Sequence, residues 1–83
     1  MILQVVNVAG QTLTLDIATQ ASVLDLKRLV QYAERVELDE IGLEFAGNVL
    51  ENDRTIADYD MRDGSRLHLV SALLFVIVFK RKI

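Results

Sequence analysis

Eighty-three residues make one small domain, with a modest core and a thin stability margin. A hydrophobic share of 52% beside 25% charged residues argues against disorder, and the absence of cysteine excludes a disulfide framework and thiol chemistry. The net charge is −3 but uneven: six basic residues face twelve acidic ones over residues 1–79, a charge of −6, while Lys80, Arg81 and Lys82 add +3. An acidic body argues against nucleic-acid binding, which needs a positive field over a broad face.

Residues 1–7 predict a strand, with Met1, Leu3 and Val5 alternating against Ile2, Gln4 and Val6. This opening lacks the basic region and long apolar run of a signal peptide, so a cytosolic or nuclear protein is expected. Val8-Ala9-Gly10 predicts a short connection, with Gly10 suited to a positive φ. Residues 11–17 predict the returning strand of a hairpin, with Leu13, Leu15 and Ile17 inward and Thr12 and Thr14 outward.

A helix is predicted next. Ser22-Val-Leu-Asp25 has capping-box spacing, although Asp is shorter than the usual Glu. Val23, Leu26, Val30 and Ala33 recur at helical spacing and are expected to face the sheet, leaving Lys27, Arg28, Gln31 and Glu34 for the surface. The helix is expected to end near Glu34. Residues 41–45 predict a strand turned by Ala46-Gly47, and residues 48–50 a brief partner. Residues 51–64 read as a polar loop anchored by Ile56, Tyr59 and Met61, and residues 66–70 as a last strand with Leu67 and Leu69 inward. The order ββαββ predicts an α+β fold, a mixed sheet with one helix on one face.

Four motifs in the second half sharpen this reading: Leu43-Glu-Phe-Ala-Gly47, Leu50-Glu51, Arg54-Thr-Ile-Ala-Asp-Tyr59 and Leu67-His-Leu-Val70, with Ser65 beside them. At this spacing, without a gap, the chain resembles the ubiquitin family. The first half resembles it more weakly, through Met1, Val5, Gly10, Thr12, Thr14-Leu15, Lys27, Gln31, Glu34 and Asp39. The resemblance implies a ubiquitin-like β-grasp domain over residues 1–73, followed by an apolar and then basic tail over residues 74–83. It also implies that Tyr59 pins the 51–64 loop, its ring packed and its hydroxyl bonded to nearby backbone.

Departures from the family pattern bear on function. Members that are joined to targets end in two glycines, threaded through a channel that only glycine fits. Here Phe75 and Val76 stand at those positions, followed by residues 77–83. Covalent conjugation is not expected, nor is the sulfur-carrier chemistry of related proteins that needs the same glycine end. Of the lysines that serve the family as chain-building acceptors, residues 1–79 keep Lys27 alone, with Asn48 and Asp63 at two of the other positions. The family's apolar receptor patch maps onto Val8, Glu44, His68 and Val70, with Gly47 beside it. A carboxylate at the centre of that patch costs several kcal/mol to bury unpaired, so poor binding to ubiquitin receptors is expected. Arg35 stands where the family has a helix-ending glycine. In the left-handed region it would be strained by about 1–2 kcal/mol. Glu37-Leu38 replaces a pair of prolines, which loosens the loop.

No catalytic site, metal site or cofactor is expected. His68 has no second histidine or cysteine to complete a metal site, and it reads either as a partner contact or as a solvated neighbour of Glu44. Asp58-x-Asp60-x-x-Asp63-Gly64 lacks the ligand spacing of a calcium loop and reads as a polar turn.

The segment Leu73-Leu-Phe-Val-Ile-Val-Phe79 is apolar on both faces of any strand and too short for a bilayer, which takes about 20 residues. Leu73, Leu74, Phe75, Ile77 and Phe79 are its candidate interface residues. It is read as pairing with another chain, giving a homodimer or a swapped assembly, as docking on the outer sheet face near Ile2, Val6 and Val70, or as an aggregation-prone end. Burying each large side chain gains roughly 1.5–3 kcal/mol, which favours self-association. The functional expectation is a non-enzymatic module acting by non-covalent protein–protein contact. Two alternatives stand beside it: an engineered or degenerate scaffold variant with no binding role, and a membrane-peripheral module held by the apolar and basic tail.

Overall fold

In the computed structural model, which describes residues 1–71, alternation in the first strand sorts its side chains cleanly. β1 (Ile2–Val6) buries Leu3 and Val5 completely and turns Ile2, Gln4 and Val6 outward. β2 (Thr12–Asp16) returns antiparallel to it, with Leu3 opposite Leu15 and Val5 opposite Leu13. Helix α1 (Val23–Glu34) follows, then β3 (Ile41–Phe45), β4 (Asn48–Val49) and β5 (Ser65–Ser71). Short 3-10 turns occupy Leu38–Glu40 and Ile56–Tyr59.

The five strands form one mixed sheet in the order β2-β1-β5-β3-β4. The central pair, β1 and β5, is parallel, and β3 is antiparallel to both β5 and β4. The helix packs on one face, where Val23, Leu26 and Val30 meet Leu3, Leu43 and Leu67 in a single core. This is the α+β arrangement expected of a β-grasp. The predicted elements stand, with bounds shifted by a residue or two: β4 stops at Val49, releasing Leu50 into the core, and β5 starts at Ser65.

Ser22 caps the helix as its spacing predicts. Its hydroxyl accepts the Asp25 N–H at 3.0 Å, and the Asp25 carboxylate accepts the Ser22 N–H at 3.2 Å, so the shorter acid still closes the box. At the other end Arg35 adopts the left-handed conformation, φ 56 and ψ 43, and its N–H donates to the Gln31 carbonyl at 2.8 Å. One face assignment is corrected. Ala33 is exposed, and Lys27 is buried, with only 9% of its surface accessible. Lys27 follows Leu26 and lies one turn beyond Val23, so its long aliphatic stem continues the inner face.

Residues 51–64 are a loop stitched to the start of the helix. Val23 donates to the Arg54 carbonyl at 2.8 Å, and Ile56 and Ala57 donate to Ala21 and Thr19 at 3.0 Å. The Tyr59 hydroxyl accepts the Glu51 N–H at 2.8 Å, while Ile56 and Met61 are buried beneath. A further local device closes this loop: the Asp58 carboxylate accepts the Thr55 N–H at 2.9 Å. The Asp63 carboxylate accepts the Ile2 N–H at 2.6 Å, so two of the four loop aspartates serve the backbone.

Candidate functional site

Two features make up the surface opposite and beside the helix. The first is a row of side chains crossing the whole outer face. Thr12 pairs with Val6, Val6 with His68, His68 with Glu44, and Glu44 with Val49. Strand alternation places all five outward, because Val5, Leu43 and Leu67 beside them point into the core. His68 therefore sits directly between Val6 and Glu44. His68 is exposed and Glu44 half-buried, and among the described residues no hydrogen bond joins the two side chains.

The second feature is a groove at one end of the sheet. Val8, Val36, Glu40, Ile41, Leu69 and Val70 line it, and it holds a volume of about 160 Å³. Three separate stretches of chain build it. Val8 comes from the β1–β2 connection and is 84% exposed. That connection is held by Asn7, whose side-chain oxygen accepts the N–H groups of Ala9 at 3.0 Å and Gln11 at 2.9 Å. The Asn7 amide nitrogen reaches across to the Glu34 carboxylate at 3.1 Å, tying the turn to the end of the helix. Gly10 completes the turn at φ 83, the left-handed conformation that only glycine takes without strain. Val36 and Glu40 come from the stretch after α1. The left-handed Arg35 turns the chain there, and the Glu40 N–H donates to the Glu37 carbonyl at 3.0 Å. Ile41 is the first residue of β3 and pairs with Ser71 of β5, and Leu69 and Val70 precede Ser71 in that strand.

The sequence-predicted contact residues divide between these features. Val8 and Val70 line the groove, whereas Glu44 and His68 lie together in the cross-sheet row. Gly47 stands apart from both, in the two-residue turn between β3 and β4, where Ala46 has φ 52 and Gly47 φ 83. Leu73, Leu74, Phe75, Ile77 and Phe79 lie outside the described residues. The sequence reading did not single out Val36, Glu40, Ile41 or Leu69 as surface features. Val36 follows the helix end at no strand or helix spacing, Ile41 reads as the first residue of a strand, and Leu69 reads as core.

The surface is acidic beside the groove. Glu37, Asp39 and Glu40 are exposed within the stretch that forms its wall. Among the described residues no group of histidine, cysteine, aspartate or glutamate side chains is gathered to hold a metal ion, and no helix is long and apolar enough to cross a membrane. The arrangement offers apolar and polar contact surface, and among the described residues no hydrogen bond pairs a nucleophile with a base.

Comparison with known proteins agrees with this architecture. The model of the ubiquitin family matches residues 3–74. The chain is similar to Ubiquitin-like protein 1 of Schizosaccharomyces pombe, at 32% identity over 73 residues, which cover 88% of this chain and 94% of that protein. A five-stranded mixed sheet carrying one helix, matched over nearly its whole described length, places the chain in the ubiquitin family, whose members are typically non-enzymatic modifiers or binding modules.

Proposed function

We propose that the chain is a non-covalent protein–protein contact module on the ubiquitin-like fold and is not joined to targets through a diglycine end. The observation that supports this most is the pair Phe75-Val76, which stands where conjugated members carry Gly-Gly. A channel wide enough only for glycine rejects a phenyl ring and a β-branched side chain alike.

The outer face supports a changed choice of partner. The cross-sheet row carries Val6, His68 and Val49 and places Glu44 between the last two. A helix or loop that lays an apolar surface over His68 and Val70 must desolvate that half-buried carboxylate. A partner with a basic or hydrogen-bond-donating group at that point meets no such cost.

The test titrates an apolar ubiquitin-binding helix against the full chain and against Glu44→Ile. The proposal expects weak binding by the natural chain and at least about tenfold tighter binding by the variant, a difference of about 1.4 kcal/mol. Equal affinities would show that Glu44 does not set partner choice.

A further inference from the structure

The groove is matched in chemistry by a segment of the same chain. Its walls are Val8, Val36, Ile41, Leu69 and Val70, and the residue at its polar rim is Glu40, with Glu37 and Asp39 close by in sequence. Its volume of about 160 Å³ is close to the roughly 150 Å³ apolar space that accommodates a benzene ring. Residues 73–79 are Leu-Leu-Phe-Val-Ile-Val-Phe, and Lys80-Arg81-Lys82 follows. An apolar stretch with two phenyl rings and an adjoining +3 charge complements an apolar groove with an acidic rim.

We propose that the groove receives a phenyl ring, from Phe75 or Phe79, of a second copy of this chain, with Lys80-Arg81-Lys82 set against the acidic stretch 37–40. This names a partner for the contact module proposed above and rests on that reading. A second copy is favoured over the chain's own segment by local backbone preference. Ser71, the last described residue, pairs with Ile41 of the groove wall. To enter its own groove the chain must reverse at once. Residues 72–79 contain no glycine, proline, asparagine or aspartate to form a tight turn. Val76, Ile77 and Val78, flanked by Phe75 and Phe79, favour an extended backbone over a turn. Two copies exchanging segments about a two-fold axis fill both grooves and leave neither open, so the assembly closes at a dimer.

Sedimentation equilibrium of the full chain in the micromolar range tests this, with three variants. Val36→Asp charges the groove at a partly exposed position, and Phe75→Ala with Phe79→Ala removes the rings. Thr14→Asp, exposed on β2 away from the groove, is the control. Circular dichroism melts confirm that each variant is folded. The expected result is a dimer whose dissociation constant rises at least about tenfold in the groove variant and in the ring variant and is unchanged in the control. Mixing groove and ring variants restores one of the two exchanged contacts, so the mixture associates more tightly than either variant alone. A monomeric full chain, open-ended assembly, dimerisation indifferent to Val36→Asp, or a mixture no tighter than its components would each overturn the proposal. None of those results bears on the Glu44→Ile titration, so the contact reading stands or falls separately.

Discussion

Lys27 is a cation on the inner side of the helix, and among the described residues no carboxylate pairs with it. Burial disfavours its charged form and lowers its pKa from 10.5. The folded state bears the desolvation cost of the charged form. Between the lowered folded value and 10.5 the unfolded chain binds more protons, so stability rises with pH across that interval. Lys27→Met keeps the stem and removes the charge. Its urea midpoint at pH 7 should equal or exceed that of the natural chain, and the gain in stability between pH 7 and pH 10 should shrink. A midpoint well below the natural one would show that the ammonium group has a stabilising partner.

Arg35 and Tyr59 have opposite effects on stability. Arg35 holds φ 56 without a glycine's freedom, at a strain of about 1–2 kcal/mol. Arg35→Gly relieves that strain but enlarges the entropy of the unfolded chain. The net gain should be about 0.5–1 kcal/mol, a rise in Tm of roughly 2–8 °C on a thermal melt. Tyr59→Phe removes the hydroxyl that accepts the Glu51 N–H. It should cost about 0.5–1.5 kcal/mol in a urea titration, because one hydrogen bond is lost while the ring stays packed.

At the scale of elements, sequence patterning carries further for the core than for the surface. Leu3 and Val5 in β1, Val23, Leu26 and Val30 in α1, and Leu67 in β5 follow strand or helix spacing and are all buried. The capping box at Ser22 was legible because it depends on two residues at short range, and the Tyr59 anchor because the resemblance to the family implied it. Lys27 and Ala33 were not. Hydropathy assigns a lysine outward and an alanine inward, whereas the stem of one and the position of the other in the last helical turn decide the outcome. The groove was not legible for a different reason. Val8, Val36 and Val70 come from a turn, a post-helix loop and a strand end, and no periodicity links them. Tertiary structure alone brings them together, through Asn7 at one wall and the left-handed Arg35 at the other.

For the whole molecule, the motif residues Phe45, Leu50, Ile56, Tyr59, Leu67 and Leu69 all belong to the core or pack against it. They specify a sheet and a helix. The proposed function rests on different positions: Glu44 on the outer face, and Phe75 and Val76 beyond it in sequence. A chain can keep the first set and change the second, because packing constrains buried residues and leaves surface residues free to vary. The central claim is that this chain keeps the ubiquitin architecture without the diglycine chemistry. The direct measurement incubates the full chain with ubiquitin-activating enzyme, ATP and magnesium, with ubiquitin itself as the positive control, and resolves the products with and without a reducing thiol. The account predicts a thiol-sensitive adduct for ubiquitin and none for this chain. An ATP-dependent, thiol-sensitive adduct of this chain would contradict it.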